Sequence, residues 1–128
     1  MLDHIDFAVS DLARSRAFYT RALAPLGMVP VLEIARDDDG HEGTGYGPPG
    51  RPLFWIGRGD SVSGRLHVAF SADSREQVDA FHQAALAAGA RDNGAPGVRP
   101  RYHPHYYAAF VLDPDGHNIE AVCHRPPA

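Results

Sequence analysis

Only one cysteine, Cys123, occurs in the 128 residues. A lone thiol excludes an internal disulfide, so nothing covalent staples the fold. Basic residues are also in short supply: 12 Lys and Arg stand against 16 Asp and Glu, a formal net charge of -4. Nucleic-acid binding needs a basic face to displace counterions, and that class is set aside. No apolar run approaches the roughly 18 residues of a membrane-spanning helix. The opening MLDHIDFAVSD is too acidic, and its apolar run too short, for a signal peptide. The expectation is a soluble cytoplasmic protein without nucleic-acid or membrane partners. The length suits a single domain, or two small halves sharing a core. Histidine, by contrast, is plentiful, with eight in the chain.

The chain repeats itself. Shifted by 63 positions, HIDFAVSDLARSRAFYTRALA at 4–24 lies over HVAFSADSREQVDAFHQAALA at 67–87, with seven of 21 positions identical. The alanine matches carry little weight. The pairs His4/His67, Phe7/Phe70 and Phe18/Phe81 in one register carry more. We therefore read one domain, 1–128, built from modules 1–60 and 61–128.

Each module opens on a strand of period two, DHIDFAV and LHVAFS. Helices follow near 11–24 and 74–88. Ser74 and Gln77 form a capping box for the second, and Ser10 or Asp11 can cap the first. Phe18, Ala22 and Leu23 make one buried stripe, and Val78, Phe81 and Ala85 the other. Gly27 and Gly89 suit the helix ends. MVPVLEIAR and RPLFWIGR read as strands around an acidic, glycine-rich loop, DDDGHEGTGYGPPG, whose Asp37–Asp39 run reads as solvated. RDNGAPGVRPRYHPH reads as irregular. YYAAFVL and NIEAVCH read as strands joined by the turn DPDGH, with proline second and glycine fourth. The order per module is β-α-β-β-β, an α+β fold.

Strand parity then sorts the side chains. His4 shares a face with Asp6, His67 with Ala69, and Glu120 with Val122 and His124. The opposite faces are apolar and meet the helices. Two imidazoles and one carboxylate on the same kind of face make a divalent-metal site with open positions, suited to Fe, Mn, Ni, Co or Zn. A strand histidine is more often an ordinary core or edge residue, and a strand glutamate more often a solvated one. Both readings stay open on the residues alone. Asp113 and Asp115 belong to the turn, and DPDGHN has its glycine too early for a calcium loop. Cys123 faces the helices, and His124 lies over 10 Å along the strand from Glu120 at roughly 3.3 Å per residue.

LDHIDFAVSDLARSRAFYTRAL, LHVAFSA and AAFVLDPDGHNIEAVCH together resemble the vicinal oxygen chelate superfamily: glyoxalases, bleomycin resistance proteins and extradiol dioxygenases. The resemblance runs along nearly the whole chain and omits only the loops at 36–52 and 91–105. It implies paired βαβββ modules forming a U-shaped, metal-holding cleft. It implies a divalent ion on His4, His67 and Glu120, identity open among Zn, Ni, Mn, Co and Fe(II). It also implies a small-molecule substrate with vicinal oxygens, lyase or isomerase chemistry, and a homodimer. An extradiol-type dioxygenase and a non-catalytic drug- or metabolite-binding resistance protein are the alternatives. The fourth ligand of glyoxalase I, a glutamate late in the first module, has no counterpart in RPLFWIGRG. The loop RPRYHPHYY is the richest source of other site groups. Tyr102, His103 and His105 are its catalytic candidates. Arg101 and Tyr106 from the loop, with Trp55 from the first module, are the substrate-binding candidates.

Overall fold

The computed structural model describes residues 1–36, 40–60 and 62–128; the acidic run Asp37–Asp39 lies outside them. Strand β1 (Ile5–Val9) leads into helix α1 (Leu12–Leu23), a 3-10 turn at Ala24–Leu26, and strands β2 (Val29–Ile34), β3 (Gly43–Gly47) and β4 (Phe54–Arg58). The second half repeats the plan. It has β5 (His67–Ser71), α2 (Arg75–Ala87), β6 (Arg91–Val98), β7 (Tyr107–Leu112) and β8 (Asn118–Cys123). Two four-stranded sheets result, ordered β1-β4-β3-β2 and β5-β8-β7-β6. Among the described strands, β1 with β4 and β5 with β8 run parallel and the other neighbours antiparallel; a helix and two strands carry the chain across between each parallel pair. These are the paired βαβββ modules of an α+β fold.

The helices start where the local chemistry directs. Asp11 caps α1 by accepting from the Arg14 amide, and Ser74 caps α2 by accepting from Gln77. Gly27 takes the left-handed conformation at φ 76° that ends the first helical segment. The expected stripes are the buried ones: Phe18, Ala22 and Leu23 on α1, Val78, Phe81 and Ala85 on α2. They pack with Phe7, Val9, Phe54, Ile56, Phe70, Ile119, Ala121 and Cys123 in one core spanning both halves.

Two strands depart from the sequence reading. GTGYG is strand β3, wholly buried, rather than part of a loop. Its glycines are there for contact. A Cβ on Gly47 would fall 1.9 Å from the Arg51 carbonyl, and one on Gly45 would fall 2.7 Å from the Trp55 ring. RDNGAPGV is strand β6 rather than irregular chain; register shifts on both sides of Gly94 hide its alternation.

The turn DPDGH fastens one half to the other. Asp113 Oδ1 accepts from the amides of Asp115 and His117, and its Oδ2 accepts from the buried Tyr19 hydroxyl at 2.5 Å. Burial first, then the Asp113 charge, push the Tyr19 phenol well above its ordinary pKa. Asp115 accepts from the Ser10 amide at 3.1 Å and from its hydroxyl. Buried His117 accepts from the Leu66 amide at 3.1 Å and meets the Phe7 ring edge-on. Among the described residues, no helix is long and apolar enough to cross a membrane.

Candidate metal centre and its surroundings

Glu120 stands in the middle of its sheet, with Ala69 on β5 and Phe110 on β7 as cross-strand neighbours. It faces away from the helices yet is 1% exposed. A buried carboxylate costs several kcal/mol unless paired. Two groups supply the pairing. His67 Nε2 lies 2.8 Å from Oε1, and the Tyr106 hydroxyl donates to Oε2 at 2.5 Å. Tyr106 immediately precedes β7, two residues before Ala108. Burial and the bond to Glu120 push its phenol up to about 12. The His67 side chain remains 54% exposed, and its ring sits 6.2 Å from that of Phe110.

His4 precedes β1 and is also exposed. Its Nδ1 meets Asp3 Oδ1 at 2.7 Å. His4 and His67 line one cavity of about 330 Å³ between the edge strands β1 and β5, together with Leu53, Phe54, Val68 and Phe70. The structure thus brings His67 and Glu120 into contact and sets His4 on the wall of the cavity that His67 borders. Among the described residues, no three His, Cys, Asp or Glu side chains converge as a metal-holding group.

The loop before β7 gathers around Tyr106. His103 Nδ1 accepts from the His105 amide at 2.9 Å, so the neutral ring carries its proton on Nε2. That Nε2 lies 2.6 Å from His124 Nδ1, and the two rings stack at 4.9 Å and 27°. Tyr106 meets both rings edge-on, at 5.8 Å and 5.1 Å. Tyr102 packs on Tyr106 at 4.9 Å, and Arg101 is tied to the Tyr102 hydroxyl at 2.9 Å. The His105 ring sits 6.4 Å from that of His103. Of the expected catalytic candidates, His103 and Tyr102 touch the tyrosine that holds Glu120, and His105 contributes its backbone amide. Trp55 is placed elsewhere. It lines a cavity of about 530 Å³ with Asp6, Ala8, His41, Glu42 and Arg58, on the first module.

Two residues of this region were not among the expected site groups: His124, set aside for its distance from Glu120, and Arg99. His124 joins because Tyr106 sits across from the end of β8. Its place on the face of Glu120, four residues on, was the available signal. Arg99 joins because its guanidinium lies 5.3 Å over the Phe110 ring. The flanking Gly94 and Gly97 were the signal there.

Residues 1–121 match the family described as Glyoxalase/Bleomycin resistance protein/Dioxygenase superfamily. A comparison with curated proteins returns no match. Among solved structures, a glyoxalase/bleomycin resistance protein from Albidiferax ferrireducens T118 is 31% identical, with 98% of this chain and 99% of that chain covered and a TM-score of 0.72. The fosfomycin resistance protein FosX from Listeria monocytogenes, complexed with Mn(II) and sulfate, is 22% identical over 96% of this chain and 91% of its own, with a TM-score of 0.67. A glyoxalase I mutant from Zea mays is 22% identical, with a TM-score of 0.71; 97% of this chain covers 44% of that one.

Proposed function

The chain belongs to the Glyoxalase/Bleomycin resistance protein/Dioxygenase superfamily, and from that premise we propose a divalent-metal-dependent enzyme, a lyase or isomerase acting on a small substrate with vicinal oxygens. The observation that carries the reading is the contact between His67 Nε2 and Glu120 Oε1 at 2.8 Å. An imidazole nitrogen and a buried carboxylate oxygen are held together by a proton in the place where both would face a metal. His4 borders the same cavity on an exposed side chain, free to turn from Asp3 as the third donor. The donor set of two nitrogens and one oxygen fits Zn, Ni, Mn, Co or Fe(II). FosX and glyoxalase I among the structural neighbours support a divalent ion in general terms.

Bound there, such an ion would polarise a substrate carbonyl as a Lewis acid. The chain's own residues do the rest. Tyr106 fixes the orientation of the Glu120 carboxylate through Oε2, the outer support that a metal-ligating carboxylate needs. The His103–His124 pair presents a fixed tautomer, so His124 Nε2 carries the outward N–H and can donate to an oxygen that gains charge. Phe110 sets an apolar ring beside that of His67.

Metal analysis of protein purified without chelator tests the reading. Wild type is expected to hold about one equivalent of a divalent ion, with Glu120→Ala and His4→Ala each losing most of it. Equal metal content in all three would remove the proposal. Anaerobic iron loading followed by oxygen uptake with catechols separates the dioxygenase alternative. A non-catalytic binding protein is favoured by one observation, the Trp55-walled cavity on the first module. Ligand protection that survives His67→Ala would select it. We take the working unit to be a homodimer. Edge strand β2 exposes Val29, Leu32 and Ile34, and light scattering on the purified chain decides the matter.

A further inference from the structure

Arg99 follows strand β6 and turns back over it. Its Nη1 donates to the Gly97 carbonyl at 2.8 Å and its Nη2 to the Ala95 carbonyl at 2.7 Å. The guanidinium then lies 5.3 Å over the Phe110 ring. Gly94 and Gly97 make this path. A Cβ on Gly97 would stand 3.0 Å from Nη1, and one on Gly94 would stand 2.9 Å from Phe110 and 3.3 Å from Nη2. Phe110 is the cross-strand partner of Glu120 on one side and of Gly94 on the other. Arg99 and His67 therefore flank the same ring, on the sheet face that carries Glu120.

The charge on Arg99 is held by backbone carbonyls and the Phe110 ring. Among the described residues, no carboxylate forms an ion pair with it. Glu120 is committed to His67 and Tyr106. Asp92, near in sequence, is committed to the Gly94 amide and His82. A guanidinium has five N–H donors. Two are held by backbone carbonyls, so the fork is fixed in position while three donors remain. A pre-positioned fork grips a planar or tetrahedral oxyanion without first losing side-chain freedom.

We propose that Arg99 is the anion-binding residue of this sheet face, and that the ligand is a small molecule with a carboxylate, phosphonate or phosphate group seated on Arg99 beside Phe110. The proposal rests on the reading of His67 and Glu120 as the reacting centre for its consequence: the anionic group anchors a substrate whose other end reaches them. The anion site itself does not need the metal.

The test uses the full chain, chelator-treated and zinc-loaded in parallel, titrated with acetate and with methylphosphonate. The readouts are the Arg99 Nε–H resonance and the Gly97 amide. In metal-free wild type, at least one anion is expected to shift both resonances saturably. The stronger binder tells carboxylate from phosphonate and phosphate. Arg99→Gln is expected to weaken binding roughly 10- to 100-fold, the range of a charge-assisted hydrogen bond. Arg99→Lys is expected to weaken it as well, since an ammonium offers no fork. Gly97→Ala keeps the charge and displaces the guanidinium, so it serves where Arg99→Gln does not fold, and it too is expected to bind more weakly. Unmoved Arg99 resonances, or wild-type affinity in both Arg99→Gln and Gly97→Ala, would overturn the proposal. Anion binding that persists in His67→Ala, a variant expected to lose metal, separates the fate of this site from that of the metal reading.

Discussion

The Tyr106 hydroxyl donates to Glu120 Oε2 at 2.5 Å while His67 occupies Oε1, so both oxygens of the buried carboxylate have a partner. Removing the hydroxyl leaves one lone-pair edge of a 1%-exposed carboxylate unsatisfied. Tyr106→Phe is expected to lower divalent-metal affinity roughly 10- to 100-fold, the usual effect of losing an outer hydrogen bond to a ligand. Competition with a fluorescent chelator measures it, and an unchanged constant would deny Tyr106 this role.

Tyr107 gives a prediction in alkali. Its hydroxyl donates to Asp79 at 2.6 Å, and that bond, then burial, push its phenol up to about 12. The folded chain keeps the proton where the unfolded chain, near 10, has lost it. The stability is complete below the unfolded value and is lost as pH rises through the folded one, between about 10 and about 12. Thermal melts across this interval are expected to fall more steeply for wild type than for Tyr107→Phe. Parallel curves would contradict the assignment.

Gly45 is occupied from above by the ring of Trp55, the chain's single tryptophan. Gly45→Ala must push that ring off the sheet. The expected cost is about 1–3 kcal/mol, typical of overpacking. A red shift of the intrinsic emission should accompany it as the indole meets water. A variant with wild-type emission and stability would mean that the ring has room.

Asp113 ties its own turn and the Tyr19 hydroxyl of the other half. Asp113→Ala orphans a buried phenol and two amides, so a loss of about 2–4 kcal/mol is expected in urea unfolding. Asp115→Ala removes exposed bonds to Ser10 and is expected to cost less, about 1 kcal/mol or below.

The sequence was most legible where period and side-chain volume agree. His4 over His67 and Phe18 over Phe81 revealed the doubling, and the buried stripes of α1 and α2 followed from spacing. Strands β3 and β6 were not legible. Gly43, Gly45 and Gly47 are the alternate residues of β3, so the side chains that would show period two are absent there. In β6 the shifts around Gly94 break the alternation. The contact of His67 with Glu120 was within reach of parity, because both lie on the face turned from the helices. The His103–His124 contact was not, since it depends on a loop folding back beside the strand end. The orientation of His4 towards Asp3 was equally out of reach; an exposed side chain takes its rotamer from neighbours that no repeat encodes.

The bonds from Tyr19 to Asp113 and from Ser10 to Asp115, with the Phe7 ring against His117, run through the same five-residue turn that introduces Glu120. Phe54 meets Phe70 edge-on at 5.1 Å across the same boundary. Neither half can melt without stripping the other of buried hydrogen-bond partners and ring contacts. A chain with an internal repeat is thus expected to show one cooperative transition, with calorimetric and van 't Hoff enthalpies that agree. A fragment ending near residue 60 would be left with an exposed aromatic seam and no stable fold.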